Sequence, residues 1–159
     1  MNLLKPDRAK TYENVRYFFK NNKTFDHYLE FSGENRFDIK SPRLEPTGTN
    51  KTNFNTKENE MMKILHAQKI VYCVGVAINQ CMNSPRRPYK KILIENFINL
   101  NTVSNISSMI GYSFSQTQKL KKEACIEFAQ RFWSVQYQNN VSDVINLLAF
   151  NDHTPVKDM

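Results

Sequence analysis

Residues that interrupt helices are scarce in this chain. Only four glycines and six prolines occur among 159 residues, so the composition permits long helices. Cysteine is scarce too: Cys73, Cys81 and Cys125 are odd in number and far apart, without metal-ligand spacing, and the three histidines are scattered. We therefore expect neither a metal site nor a disulfide framework, and a reducing compartment such as the cytoplasm fits this composition.

Short motifs that usually mark an active site are missing. The sequence has no glycine-rich phosphate loop, no nucleophile elbow and no cluster of His and Cys. Asp26 and Glu30 lie four residues apart on a possible helix, but paired acids in that arrangement are usually solvated. We predict that the protein is not an enzyme and needs no cofactor.

Long apolar runs are missing as well. The first ten residues lack the apolar core of a signal peptide, and the longest apolar stretch, Ile70 to Ile78, is too short to cross a bilayer. The sequence thus predicts a soluble intracellular protein without a membrane partner. Its apolar content of 40% is enough for a core.

Positive charge, in contrast, is in excess. The formal net charge is +7 and the pI is about 9.3, which favours an anionic partner over the alternative of solubility alone. Residues 83–137 contain eight Lys or Arg against three Glu, a surplus of five. Residues 1–82 contain thirteen against nine acids, and residues 138–159 contain one against three. The excess is therefore concentrated in 83–137.

Two helices joined by a very short turn are predicted within residues 101–132. The first covers Val103 to Ile110, and Gly111 then supplies the left-handed residue that often ends a helix. Ser113 caps the second helix, which continues to about Tyr137. The residues predicted to be buried on the two helices are Ile106, Met109, Ile110, Thr117, Leu120, Ala124 and Phe128.

The opposite face of the second helix carries small polar residues followed by lysines, which suits a helix that enters the DNA major groove. Base edges are predicted to be read by Ser115, Gln116, Lys119 and Lys122, with Gln118 on the flank. Phosphates are predicted to be contacted by Arg86, Arg87, Lys90, Lys91, Ser113 and Lys121.

The rest of the chain is predicted to be helical around one irregular segment. Short helices are expected over Thr11–Asn21 and over Thr24–Phe31, with Phe31 buried, and residues 32–56 are expected to form a loop-rich arm. Aromatics in the short helices more often close a core than stack on bases. The later helices are predicted over Lys57–Cys81, Tyr89–Leu100 (with Leu100 on its apolar side) and Ser142–Phe150.

The apolar residues of the Lys57 helix repeat at heptad-like spacing from Ile64 to Cys81. This seam suits either dimerisation or packing on the other helices. The sequence therefore predicts an all-α fold in four sections. These are residues 1–56 (helices and arm), 57–82 (connecting helix), 83–137 (helix–turn–helix domain) and 138–159 (short helix and tail).

The sequence resembles the ArpU family of phage late transcriptional regulators over about residues 3–133. The likeness is found in LLKPDRAKTYENVRYFF, in KSPRLEP, in the acidic start of the Lys57 helix and most clearly in IGYSFSQTQKLKKEACIEFAQRF. The last segment has the pattern of a sigma-factor region 4-like helix–turn–helix. The chain departs from the family at Phe114, where members often have a polar or acidic residue, and in the Asn-rich connection NFINLNTVSN. An aromatic side chain at Phe114 is expected either to contact thymine methyl groups or to pack on the supporting helix.

The resemblance implies a sequence-specific regulator that binds duplex promoter DNA and activates phage late genes in the bacterial cytoplasm. RNA polymerase or another regulatory protein is an expected partner, and a homodimer is an alternative to a monomer. Two other functions are compatible with the residues. One is a DNA-binding packaging component, such as a small terminase subunit, and the other is a protein-interaction module in which the helix pair is structural.

Overall fold

The computed structural model describes residues 5–21, 23–42 and 55–151. Its α-helices are α1 (Arg8–Arg16), α2 (Thr24–Ser32), α3 (Asn55–Gln80), α4 (Tyr89–Leu93), α5 (Val103–Ile110) and α6 (Phe114–Gln138). Single π-helical turns, Tyr17–Asn21 and Ile94–Ile98, extend α1 and α4, and Arg36–Lys40 forms a 3-10 helix. The strands β1 (Lys5–Pro6) and β2 (Phe150–Asn151) pair antiparallel. The predicted all-α class is confirmed in its coarse form, since the described chain is mostly helical.

The longest C-terminal helix, α6, lies at the centre of the packing. Helices α1, α3, α4 and α5 all contact it, and α2 packs on α3. One hydrophobic cluster draws buried residues from each of the four predicted sections, so these sections share a core. Residues 43–54 of the predicted arm lie outside the described residues.

Aromatic rings form the middle of that core. The rings of Phe19 and Phe97 stack with centroids 4.4 Å apart, and those of Phe128 and Phe132 stack at 5.2 Å. Phe18 lies 5.6 Å from Phe132, which joins the N-terminal helices to α6. The core interpretation of the N-terminal aromatics is therefore confirmed for Phe18 and Phe19. Phe31 was wrongly predicted to be buried, because 58% of it is exposed.

The heptad-like seam of α3 packs inside the protein itself. Its buried members are Ala67, Val71, Val74, Ile78 and Cys81. Gly75, in the same helix, lies against the segment after α2: a Cβ built there would be 2.6 Å from the carbonyl oxygen of Ile39 and 3.0 Å from Cβ of Pro42. The seam therefore joins α3 to its own neighbours, and Gly75 is a point of close approach.

The α3 segment Lys57–Gln80 is long and apolar enough to cross a membrane by length and composition. The sequence prediction that no run reaches this length is wrong by that criterion. However, 44% of the most apolar part of this helix is buried inside the protein, and core helices of soluble proteins meet the same criterion. The structure is compatible with a soluble protein.

The predicted helix Ser142–Phe150 is wrong, because this segment is irregular and ends in β2. Several of its backbone groups bond side chains of α1 and α6. Gln136, fully buried in α6, donates through Nε2 to the carbonyl of Ile145 at 2.8 Å and accepts from the N–H of Ile145 at 2.8 Å. The side chains of Asn14 and Thr11 bond Leu147 O and Ala149 N, which fixes the segment across α1.

Candidate nucleic-acid interface

The helix pair α5 and α6 has the predicted bounds and connection. Helix α5 ends at Gly111, whose φ of 78° is the left-handed conformation expected of it. Ser113 is the N-cap of α6, so three residues separate the two helices. Ile106 of α5 and Thr117 of α6 are fully buried, as predicted, whereas Met109 is 46% exposed and was wrongly placed in the core.

The start of α6 is fixed by a capping box. The Ser113 hydroxyl accepts from the backbone N–H of Gln116 at 3.1 Å, and Gln116 Oε1 accepts from the backbone N–H of Ser113 at 3.5 Å. Tyr112 then ties the turn to the preceding loop, because its hydroxyl donates to the carbonyl of Pro85 at 2.9 Å. This bond keeps the Arg86–Arg87 segment close to the turn between α5 and α6.

The asparagine-rich connection before α5 forms a hydrogen-bonded corner. Leu100 has φ of 62° and is 60% exposed, so its predicted place on the apolar side of the helix is wrong. Glu95 Oε1 accepts from the side-chain amides of Asn99 at 3.1 Å and Asn101 at 2.7 Å. The Asn96 amide donates to the carbonyl of Asn101 at 2.9 Å. The Asn side chains thus connect the two sides of a sharp corner that sets the direction of α5.

The side chains predicted to read bases lie on the accessible side of the first turns of α6. Ser115, Gln116, Lys119 and Lys122 are exposed, and Gln118 is half-buried. The side-chain oxygen of Gln116 is engaged by the cap, whereas Lys119 is in no ion pair with a described carboxylate. Residues 114–122 contain three lysines and no acid. The positive end of the helix dipole adds to this charge.

Phe114 begins α6 and is 52% exposed, so the core does not enclose it. A half-exposed aromatic ring at the start of a helix is able to contact apolar surface on a partner. Of the two expected roles of Phe114, its exposure favours contact outside the protein.

The residues predicted to contact phosphates differ in their exposure and in the hydrogen bonds that they already make. Arg86, Arg87 and Lys91 are exposed and Lys90 is half-buried. The Ser113 hydroxyl already bonds within the capping box, where it donates to Gln116 Oε1 at 3.4 Å. A phosphate at Ser113 would have to displace the Gln116 side chain.

Lys121 is placed differently from its prediction, since only 7% of it is exposed. Its ammonium nitrogen lies 5.7 Å from the centroid of the Phe97 ring and 6.0 Å from that of Tyr12. Burial, followed by the nearby cations Lys20 and Arg16, lowers the pKa of Lys121. This placement contradicts an open phosphate contact at Lys121, because α1 and its π-helical turn cover that side of α6.

Sequence reasoning missed the cations that the N-terminal helix brings beside α6. Arg16 and Lys20 lie close enough to Lys121 to lower its pKa. Arg8, at the start of α1, forms an ion pair with Glu123 of α6. The only sequence signal was the spacing of Arg16 and Lys20, four residues apart on one helix.

The chain shows no candidate metal site within its described residues. No protein-family model matches the sequence, and comparisons with curated proteins and with solved structures give no match either. The likeness to the ArpU family therefore remains a resemblance carried by the residues quoted above.

Proposed function

We propose that this protein is a sequence-specific regulator that binds duplex DNA through a helix–turn–helix formed by α5 and α6. The start of α6 would enter the major groove, with Ser115, Lys119 and Lys122 facing the base edges. Gln118 would contribute from the flank, and Gln116 would contribute if its capping bond were exchanged. Arg86, Arg87, Lys90 and Lys91 would contact phosphates on either side.

One observation carries this proposal. The first nine residues of α6 hold three lysines and no acid, and the side chains on their outer face are exposed. The remainder of the helix, in contrast, carries Glu123 and Glu127, both of which are in ion pairs. The positive charge of α6 that no carboxylate pairs is thus confined to the end that follows the short turn, which is the end that helix–turn–helix proteins insert into DNA.

The biological role follows from the resemblance to the ArpU family. We propose that the bound site lies in a promoter region of phage late genes and that binding activates their transcription. A contact with RNA polymerase or another regulatory protein and a homodimer belong to the same proposal. Because the apolar seam of α3 packs inside the protein, such a dimer would have to form through another surface.

The test begins with selection of bound duplexes from a random-sequence pool, followed by affinity measurements on a selected duplex and a shuffled one. In the variant Lys119→Ala/Lys122→Ala, the preference for the selected duplex should fall at least tenfold. A good base contact contributes about 1–3 kcal/mol of discrimination, which justifies that expectation. The dependence of log K on log salt should also become shallower by about 0.9 for each phosphate that the variant no longer contacts.

A matched control changes two exposed lysines at the other end of the molecule, Lys57→Ala/Lys63→Ala. Lys63 lines a groove with Asn140 and Asp143, which lie just beyond the end of α6. This control should retain the full preference for the selected duplex. Unchanged preference in Lys119→Ala/Lys122→Ala would contradict the assignment of the base-reading face. Failure of the unaltered protein to bind any duplex at low salt would contradict DNA binding and favour a protein-interaction module.

A further inference from the structure

Cations from two distant parts of the sequence meet around the ring of Tyr12. The guanidinium carbon of Arg16 lies 5.7 Å from the ring centroid, and the ammonium nitrogens of Lys121 and Lys122 lie 6.0 and 5.8 Å from it. Each distance is within the range of an attractive contact between a cation and an aromatic face. These three cations therefore share the ring of Tyr12 as a neighbour.

The ring of Phe97 extends this arrangement. The ammonium nitrogens of Lys20 and Lys121 lie 5.5 and 5.7 Å from its centroid. Lys121 contacts both rings and so links the two groups of cations. We call these residues the four-cation cluster: Arg16, Lys20, Lys121 and Lys122.

Carboxylates do not neutralise this cluster. None of its four members is in an ion pair with an acid among the described residues, whereas three other arginines are paired. Those pairs are Arg8–Glu123, Arg36–Asp26 and Arg131–Glu127. The pKa of Lys20 is lowered by burial and then by Arg16, and the pKa of Lys121 is lowered by burial and then by Lys20 and Arg16. The cluster therefore contains like charges whose mutual repulsion an anion would relieve.

The cluster lies beside the base-reading face of α6. Residues three and four apart on a helix are neighbours, so Gln118 lies one turn before Lys121 and Lys122 on the same side. Lys122 belongs both to the cluster and to the predicted base-reading set. Arg16 is half-buried and Lys20 is exposed, so the protein encloses neither side chain completely.

We propose that the four-cation cluster binds a backbone phosphate of duplex DNA next to the groove that receives the start of α6. This inference rests on the proposed function and adds the N-terminal helix to the DNA interface. Arg16 and Lys20 supply the direct contacts, and the buried Lys121 adds its field from behind them. Phosphate contacts of this kind fix the register of a protein on the duplex without reading its sequence.

The test compares Arg16→Gln/Lys20→Gln with the control Lys57→Gln/Lys63→Gln, on both the selected and the shuffled duplex. Glutamine removes the charge and retains a polar side chain. Affinity of the cluster variant for both duplexes should fall about equally, and its salt dependence should become shallower by about 0.9 for each phosphate that it no longer contacts. The ratio between the two duplexes should not change, which separates this variant from Lys119→Ala/Lys122→Ala. The control should bind like the unaltered protein.

A single variant, Lys20→Gln, protects the test against misfolding, because it changes one exposed residue and its melting temperature reports whether the fold is kept. It should show about half of the effect of the double variant while keeping the same melting temperature as the unaltered protein. Unchanged affinity and salt dependence in the double variant would overturn the cluster proposal and leave DNA binding intact. A selective loss of the selected duplex would also overturn it, since that result belongs to base reading. Absence of all duplex binding by the unaltered protein would overturn both proposals.

Discussion

Position on a helix decides what neighbouring lysines of α6 are able to do. Lys119 and Lys121 are two residues apart, so they point about 160° away from each other around the helix axis. Lys119 is exposed on the outer face, whereas Lys121 is buried under the N-terminal helix. Two lysines of the same basic run therefore lie in different surroundings: under the proposed function, Lys119 would be available for base contact and Lys121 would add positive potential from inside.

Burial also determines the chemistry of the cysteines. Cys73, Cys81 and Cys125 are all buried, and burial raises the pKa of their thiols to about 11, 12 and 12. Since the thiolate is the reactive form, we expect no rapid labelling of the native protein at pH 8 by a chromogenic disulfide reagent. In denaturant, all three cysteines should react.

The same pKa shifts predict how stability depends on pH. The folded pKa values lie above the ordinary value of 9.0, so the unfolded chain loses its thiol protons first. The contribution of the thiols to stability is fully present below about pH 9 and decreases as the pH rises towards 12. Urea unfolding at pH 8 and pH 10 measures this decrease. A variant with all three cysteines changed to alanine should lose less stability between pH 8 and pH 10. In the labelling experiment, rapid reaction of the native protein would contradict the buried placement of the cysteines.

At the scale of elements, the glycine at position 75 allows another segment of the chain to pack closely against α3. Replacement of Gly by Ala in a helix normally stabilises it by about 1 kcal/mol. At Gly75 the added Cβ would meet the backbone oxygen of Ile39 at 2.6 Å, so the 3-10 helix Arg36–Lys40 or α3 has to move. We expect Gly75→Ala to lower the free energy of unfolding by about 1–3 kcal/mol, the usual range for overpacking.

The measurement shows whether Gly75→Ala raises or lowers the free energy of unfolding. Asn59→Ala, at an exposed position of the same helix, provides the control and should raise stability slightly through helix propensity alone. Urea denaturation of the two variants gives both values. A stabilising effect of Gly75→Ala would mean that the segment after α2 does not pack against α3.

Local sequence signals correctly predicted the helix ends that are set by capping residues next to them. The end of α5 and the start of α6 follow from Gly111 and Ser113, whose effects extend over one turn of chain. The residues from Ser142 onward were predicted wrongly because their conformation depends on Gln136 and on contacts with α1, which no local pattern contains. The burial of Lys121 was missed for the same reason. Non-local packing thus explains the errors in both the fold and the candidate site.

On the scale of the whole molecule, the proposed DNA interface depends on the N-terminal helices. The first turns of α6 are proposed to enter the DNA. The rest of this helix packs against α1, α3 and α4. Phe19, from the N-terminal part, stacks on Phe97 and lies 5.3 Å from Phe128 of α6. The predicted helix–turn–helix section therefore shares its aromatic core with the first section and cannot lose that section without exposing these rings.

This shared core predicts one cooperative unfolding transition. Trp133, the only tryptophan of the chain, lies on α6 and reports that helix by fluorescence, while circular dichroism reports all helices. The two probes should give the same midpoint in urea, as expected of a single cooperative unit. The variants Phe19→Leu and Phe128→Leu, one from each side of the core, should shift both probes equally, with a loss of about 1–3 kcal/mol. If Phe19→Leu shifted only the dichroism signal, the N-terminal helices would be a separate unit, and the four-cation cluster would then depend on docking between two units instead of on the fold itself.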